Sequence, residues 1–452
     1  MMRTLYVVIF TLCCMIAHAT DFVGYWKGEV MNLPIVFHIT NHNGQYSATL
    51  SSPSQGAVDI ACDKTLISAD SISIEIASLG MRYDGVMQAD GKAFTGTFIQ
   101  GMALKLTLTP ATAQDAAIVR PQDPKPPFIY NTREVTFANG DITLAATLTT
   151  PSPIFSPTSP AVVLVTGSGA QNRDEEIMGH RPFAVIADYL TRAGIAVLRY
   201  DDRGIGGSSQ GKATDTTLDF ASDAMAAVNF LKSQPDINPA AVGVLGHSEG
   251  GSIALIAAAS MPDDIAFAIS LAGVAVKGRD AMIEQNHMIA RASGRELPAD
   301  ISQSVTDMFW AIDTITDNDA LGFKIREIMT TAATHSSSQI DQSVAIMTSP
   351  WYSAFIRLDM AQYLPLVKCP VLALNGQWDI QVGAEQNLNA IKQAIPTAQT
   401  IEYPRLNHMF QESASLSQSL SYGNIQQTIS PIVLSDIAKF IITTAKNIKS
   451  AR

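Results

Sequence analysis

Cysteine is scarce, with four residues in a chain of 452. Cys13 and Cys14 fall in the apolar N-terminal stretch, which leaves Cys62 and Cys369. No Cys/His cluster has zinc-ligand spacing, so a structural zinc site is not expected. A disulfide between the two remaining cysteines needs Cα atoms within about 7 Å. They lie in segments of different character, and two buried thiols are expected instead. Charge is also thin. Charged residues make up 16% of the chain, and 41 acidic residues outweigh 30 basic ones for a net charge of −11. A chain without a basic excess has no electrostatic footprint for nucleic acid, so that partner is excluded. Neither of the phosphate-cradling glycine patterns occurs. YDDRGIGGSS at 200–209 therefore reads as a glycine-rich loop ordered by Asp201 and Arg203, not as a nucleotide site. Beyond the N-terminus no run of about 18 apolar residues is present, and no stable membrane span is expected.

Hydrophobic residues, at 47%, are plentiful enough for a large core, and the length allows two or three domains. The chain opens MMRTLYVVIFTLCCMIAHAT. A positive Arg3, a short apolar core and Ala17-His18-Ala19 make residues 1–19 a cleavable signal peptide. Export to the periplasm or the medium follows, with a lipid-anchored form as the alternative. From 20 to 115 short β-branched and aromatic runs alternate with turns such as Asn43-Gly44 and Asp90-Gly91, the pattern of a small all-β barrel or sandwich. His38 and His42 there read as structural. Residues 116–128, AAIVRPQDPKPPF, carry four prolines and read as a stiff linker.

From 129 to 452 the pattern changes. A hairpin turning at Asn139-Gly140 is followed by Val/Ile/Leu strands that alternate with helices: AVVLVTG, IAVLRYD, VGVLGHS, IAFAISLAG, CPVLALNG and TIEYP. That is an α/β class, a doubly wound and mostly parallel sheet covered on both faces. Between 277 and 366 the alternation stops and four amphipathic helical runs intervene, a candidate helical cap over a site.

G-x-S-x-G occurs twice, around Ser248 and around Ser209. Only the first has a buried strand before it and an apolar helix after it, the context of a nucleophile elbow. Asp379 follows a buried strand and His408 lies in the loop after the next one, completing the order Ser…Asp…His at carboxyl ends of strands. His408 is the candidate general base and Asp379 its orienting acid. Asp359, Asp436, His287 and His335 are less well placed, and His180 reads as a loop or substrate-side residue. The backbone N–H groups of Glu249 and of Ser168, in the VTGSG turn, are the candidate oxyanion donors. A negative carboxylate beside a developing oxyanion is unfavourable unless it points away or is paired, so Glu249 is expected to pair with Arg203 or another cation, or to meet a cationic part of a substrate.

LVTGSGAQNRDE, YDDRGIGGSS, GVLGHSEGGSIA, CPVLALNGQWDIQV and LNHMF together resemble the α/β-hydrolase superfamily over residues 130–446. More narrowly, the chain resembles secreted bacterial two-domain serine esterases with a β-rich N-terminal domain. Thr166 departs from the histidine many members carry before that glycine. The resemblance implies a Ser248–Asp379–His408 triad, an acyl-enzyme and carboxylic-ester substrates of small size, with no metal or organic cofactor. A serine exopeptidase is the alternative, with the acidic run Asn172–Glu176 as its hook for a substrate amine. A non-catalytic surface binding protein is the third reading. Oligomeric state is not legible.

Overall fold

The computed structural model describes residues 22–31, 33–152, 158–331 and 336–450. The signal-peptide reading of 1–19, and His335, lie outside the described residues. The chain divides into two units, 1–119 and 120–452.

In the first unit nine antiparallel strands run as a meander, and the first, Gly24–Val30, pairs with both the second and the last, Met102–Ala111. Alternation places Trp26, Phe37, Ile39, Ile74, Tyr83 and Phe94 in one core. Two strands escape the sequence pattern, Ala57–Ala61 and Lys64–Ser68. They end the sheet and bury none of their side chains, so they carry little apolar signal. His38 stacks on Tyr25 with ring centroids 4.0 Å apart, a structural role.

The second unit holds an eight-stranded sheet. Its order is Asn131–Asn139, Ile142–Thr150, Ala196–Tyr200, Ser159–Val165, Ile237–His247, Ala268–Leu271, Val371–Gly376 and Gln399–Tyr403. The first two strands are antiparallel to their neighbours and the rest are parallel. This is the α/β-hydrolase arrangement. Helices Thr217–Lys232, Glu249–Ser260 and Ala384–Ala394 cover one face; Pro182–Arg192 and the C-terminal helix from Pro431 cover the other. A continuous apolar core lies on each side.

Between Ala268–Leu271 and Val371–Gly376 the chain leaves the sheet and forms helices Gly278–Ala292, Ala299–Thr314, Asn318–Thr331, Ser337–Met347 and Pro350–Arg357. They share a core of their own around Phe309, Ile312, Leu321 and Ile356. Four match the expected helical runs. The fifth, Pro350–Arg357, was not anticipated, although Ser349 caps its N-terminus and Pro350 opens it.

The stretch expected to be a linker is not a free spacer around Arg120 and Gln122. Arg120 is 1% exposed, and its guanidinium donates to the carbonyls of Met178, Gly179, Gly423 and Ile425. Gln122 bonds the backbone of Thr428 and Ile429. Cys369 is buried as expected, whereas Cys62 is only half-buried, and both are free thiols. Burial pushes the Cys369 thiol up to about 11. Among the described residues no helix is long and apolar enough to cross a membrane.

Candidate active site

The central strand Ile237–His247 delivers the chain to Ser248, whose backbone is held at φ 55°, ψ −122°. That is a strained left-handed conformation for a non-glycine residue. It persists because the strand and the helix Glu249–Ser260 enclose it and the Ser248 N–H donates to Leu271 O at 2.9 Å. Two glycines make so sharp a turn possible. A Cβ on Gly246 would lie 1.8 Å from Gly250 O, and one on Gly250 would lie 2.2 Å from Val165 O. Ser248 thus stands at the carboxyl end of the sheet, on the N-terminal end of a helix, where partial positive charge favours an anion.

Asp379 and His408 come from the two strands beyond. His408 Nδ1 is 2.8 Å from Asp379 Oδ2, and both side chains are buried. The other carboxylate oxygen, Oδ1, accepts the N–H groups of Gln381 and Val382 at 2.8 and 2.9 Å. Asp379 is therefore fixed on both oxygens, and the imidazole is oriented by its Nδ1 bond. Ser248 and His408 line the same cavity of about 260 Å³. Among the described contacts, Ser248 Oγ makes no hydrogen bond to His408 in this conformation, a looseness common before a substrate binds.

The Gly167 turn closes over the serine, with its would-be Cβ 3.1 Å from Ser248 Cβ. Gly167 N–H is committed to Glu175 Oε1 at 2.8 Å. Ser168 is the next amide along that loop. Among the described residues, neither its N–H nor that of Glu249 is engaged by a protein acceptor.

Two functional neighbours were missed from sequence. Glu175 Oε1 also meets His247 Nδ1 at 3.0 Å, and His247 Nε2 is 2.9 Å from the backbone oxygen of His408. Burial works against charging His247, but the adjacent Glu175 carboxylate outweighs it and raises its pKa. Its two ring nitrogens face the Glu175 carboxylate and the His408 carbonyl. Glu175 and His247 thus link the Gly167 loop, the elbow strand and the His408 loop. His247 is legible only as the variable residue of G-x-S-x-G, and Glu175 only as one acid in a charged run.

The expected pairing of Glu249 with Arg203 or another cation of the protein is not found among the described residues. Its Oε1 accepts from Thr217 Oγ1 at 2.6 Å and Trp351 Nε1 at 3.0 Å, both neutral donors. Arg203 is held elsewhere, by Asp215 at 2.8 Å and Asp223 at 2.7 Å. In the acidic run beside the oxyanion loop only Glu176 is exposed to solvent. Asp174 pairs with Arg181 and Arg199, Arg173 bonds Asp201, and Glu175 points inward.

His180 is not on the substrate side. It is fully buried and bonds Thr428 Oγ1 at 3.0 Å. Burial, assisted by Arg120, pulls its pKa down to about 4, so it stays neutral. Asp436 accepts from Tyr403 at 2.6 Å, Asp359 caps a short turn at Ala361, and His287 meets Ser302 in the cap. None of these joins the cavity of Ser248. The rival serines are structural. Ser208 Oγ and Ser209 Oγ accept the N–H groups of Ala145 and Thr143, each at 3.0 Å, and so tie the glycine loop to a strand. Among the described residues no cluster of His, Cys, Asp and Glu could hold a metal ion.

A stretch of 98 residues is 42% identical to esterase EstD of Thermotoga maritima. It spans 21% of this chain and 22% of that relative's length. Among solved structures, Est1E of Butyrivibrio proteoclasticus with bound ferulic acid is similar at 17% identity over 69% of this chain and 99% of its own, with a TM-score of 0.43. An esterase of Pyrococcus furiosus follows at 15% identity, 70% and 91% coverage and a TM-score of 0.42. A dienelactone hydrolase of Anabaena variabilis gives 18%, 70%, 98% and 0.40. The model of the family described as serine aminopeptidase, S33, matches residues 180–412, just over half of the sequence, and the chain belongs to that family of α/β-hydrolases.

Proposed function

We propose that the protein is a serine carboxylesterase that works through an acyl-enzyme on Ser248. The observation that carries this reading is the fixed Asp379–His408 couple, bonded at 2.8 Å, beside a serine held on a strained elbow in one cavity. Ser248 Oγ attacks the ester carbonyl while its proton passes to His408 Nε2. The oxyanion of the tetrahedral intermediate takes the N–H groups of Glu249 and Ser168. Collapse breaks the carbon–oxygen bond to the alcohol, which leaves with the proton from His408. Water then repeats the sequence on the acyl group, giving carboxylate and free enzyme. Asp379 orients the ring and stabilises its charged form.

The cavity supports an apolar substrate, since Val274, Met282, Phe355, Val382 and Met409 line it. The exopeptidase reading has the family's description in its favour. Against it, two of the acids expected to hold a substrate α-amine beside the loop are taken, Asp174 by Arg181 and Arg199 and Glu175 by His247, and the third, Glu176, is exposed and bonds Asn172. Assays of short- and medium-chain aryl esters beside aminoacyl and dipeptidyl anilides decide. Ester turnover should dominate; dominant anilide turnover would overturn the proposal. Export of the mature chain by its N-terminal stretch belongs to the same proposal. N-terminal sequencing of the exported protein tests it, with a start at Thr20 expected.

A further inference from the structure

A second cavity of about 210 Å³ lies on the other side of Gly167 and Trp351, which line both it and the cavity of Ser248. It is not used by the chemistry above. Its walls are apolar and largely aromatic: Val165, Tyr200, Phe220, Ile253 and Trp351. Its polar lining is mainly acidic. Glu249 is 2% exposed. Its Oε1 is bonded by Thr217 and Trp351, but Oε2 has no hydrogen-bond partner among the described residues. Asp202 also faces the space, held by Thr166 Oγ1 at 2.8 Å and Gln171 N at 2.8 Å, again by neutral donors. Arg203 is the cation in this lining, and it is neutralised by Asp215 and Asp223.

Burying carboxylates without a cation is costly, and a carboxylate oxygen without a donor at the wall of a cavity is a site where a positive partner would be stabilised strongly. Aromatic rings around it favour the same sign of charge, because a ring face attracts a cation. The volume is below the roughly 300–1,000 Å³ of a pocket that encloses a whole ligand, so it suits one group of a larger molecule. The geometry points to a subsite for an organic ammonium, which receives the amine-bearing end of a substrate whose ester lies at Ser248. This inference rests on the esterase reading for its meaning but not for its test.

The test is a binding measurement on the Ser248→Ala protein, in which turnover plays no part. Benzylammonium and benzyl alcohol are titrated separately by calorimetry at pH 8. The ammonium should bind at least about tenfold more tightly than the alcohol, the usual weight of one charge-assisted hydrogen bond. Glu249→Gln should remove that preference. Asp202→Asn, measured in parallel, should weaken it as well and serves if the first variant does not fold. Equal binding of amine and alcohol, or a preference that survives in both folded variants, overturns the inference. Failure of the esterase reading would show instead as absent ester turnover in the unaltered protein, whatever the ammonium does.

Discussion

Glu175 holds three parts of the site together through one oxygen. It accepts the Gly167 N–H and meets His247, which in turn bonds the backbone of His408. It lines the cavity of Ser248, but the oxygen it uses is taken by Gly167 and His247, which makes it a positioning residue. Glu175→Gln keeps the shape and removes the charge that raises the His247 pKa. We expect kcat to fall by about tenfold or more with KM little changed, since misplacement by a fraction of an ångström acts on the transition state. A rise in KM at constant kcat would assign Glu175 to substrate binding instead. Asp202 gives a second prediction. Burial, opposed by bonds from Gln171 and Thr166 and assisted by nearby Glu175 and Glu249, pushes its carboxyl up to about 7. An unfolded Asp releases its proton near 3.9. Between those values the native state binds more protons, so this group's stabilising contribution is present below about pH 4 and lost as pH rises through about 7. Asp202→Asn should therefore melt a few degrees above the unaltered protein at pH 8, and the gap should close towards pH 4. A gap that does not change with pH would contradict the burial argument.

At the scale of elements, the elbow shows what the sequence could and could not reveal. Gly246 and Gly250 were legible around Ser248 because a tight turn between a buried strand and an apolar helix leaves no room for their Cβ atoms, which would fall 1.8 and 2.2 Å from backbone oxygens. Gly250→Ala should cost about 3 kcal/mol or more, because its Cβ would meet the carbonyls of both Val165 and Thr166. Chemical denaturation checks this; an unchanged midpoint would mean the turn can relax. The position of Asp379 was legible because it follows the wholly buried strand Val371–Gly376, whereas that of His408 rests on chain order, since the strand before it, Gln399–Tyr403, is largely polar. Helix Pro350–Arg357 was not. It is only eight residues long and follows a polar run, yet it brings Trp351 to Glu249. The partner of Glu249 was misjudged because charge alone was considered. Neutral donors from Thr217 and Trp351 are distant in sequence, and nothing local announces them. Ser208 and Ser209 show the reverse case, in which a matching pattern turns out to be loop anchoring.

Across the molecule, two units of different class follow from two hydrophobic periods, alternate in residues 24–111 and mixed strand and helix beyond. The proline-rich stretch between them was read from composition as a spacer. Arg120 shows why that is incomplete, since a single buried guanidinium that satisfies four carbonyls docks the stretch onto the hydrolase unit. Arg120→Met should lower the stability of that unit by at least about 2 kcal/mol, because the carbonyls lose their donors while remaining buried. Thermal unfolding followed by near-UV circular dichroism would show it, and an unshifted transition would mean water replaces the guanidinium. The whole reading converges on one oxygen atom. Reaction with diethyl p-nitrophenyl phosphate, followed by intact mass and peptide mapping, tests it most directly. The account predicts one diethylphosphoryl group per chain, on Ser248, lost in Ser248→Ala and retained in Ser209→Ala. Labelling at Ser209, or full ester turnover in an unlabelled Ser248→Ala protein, would contradict it.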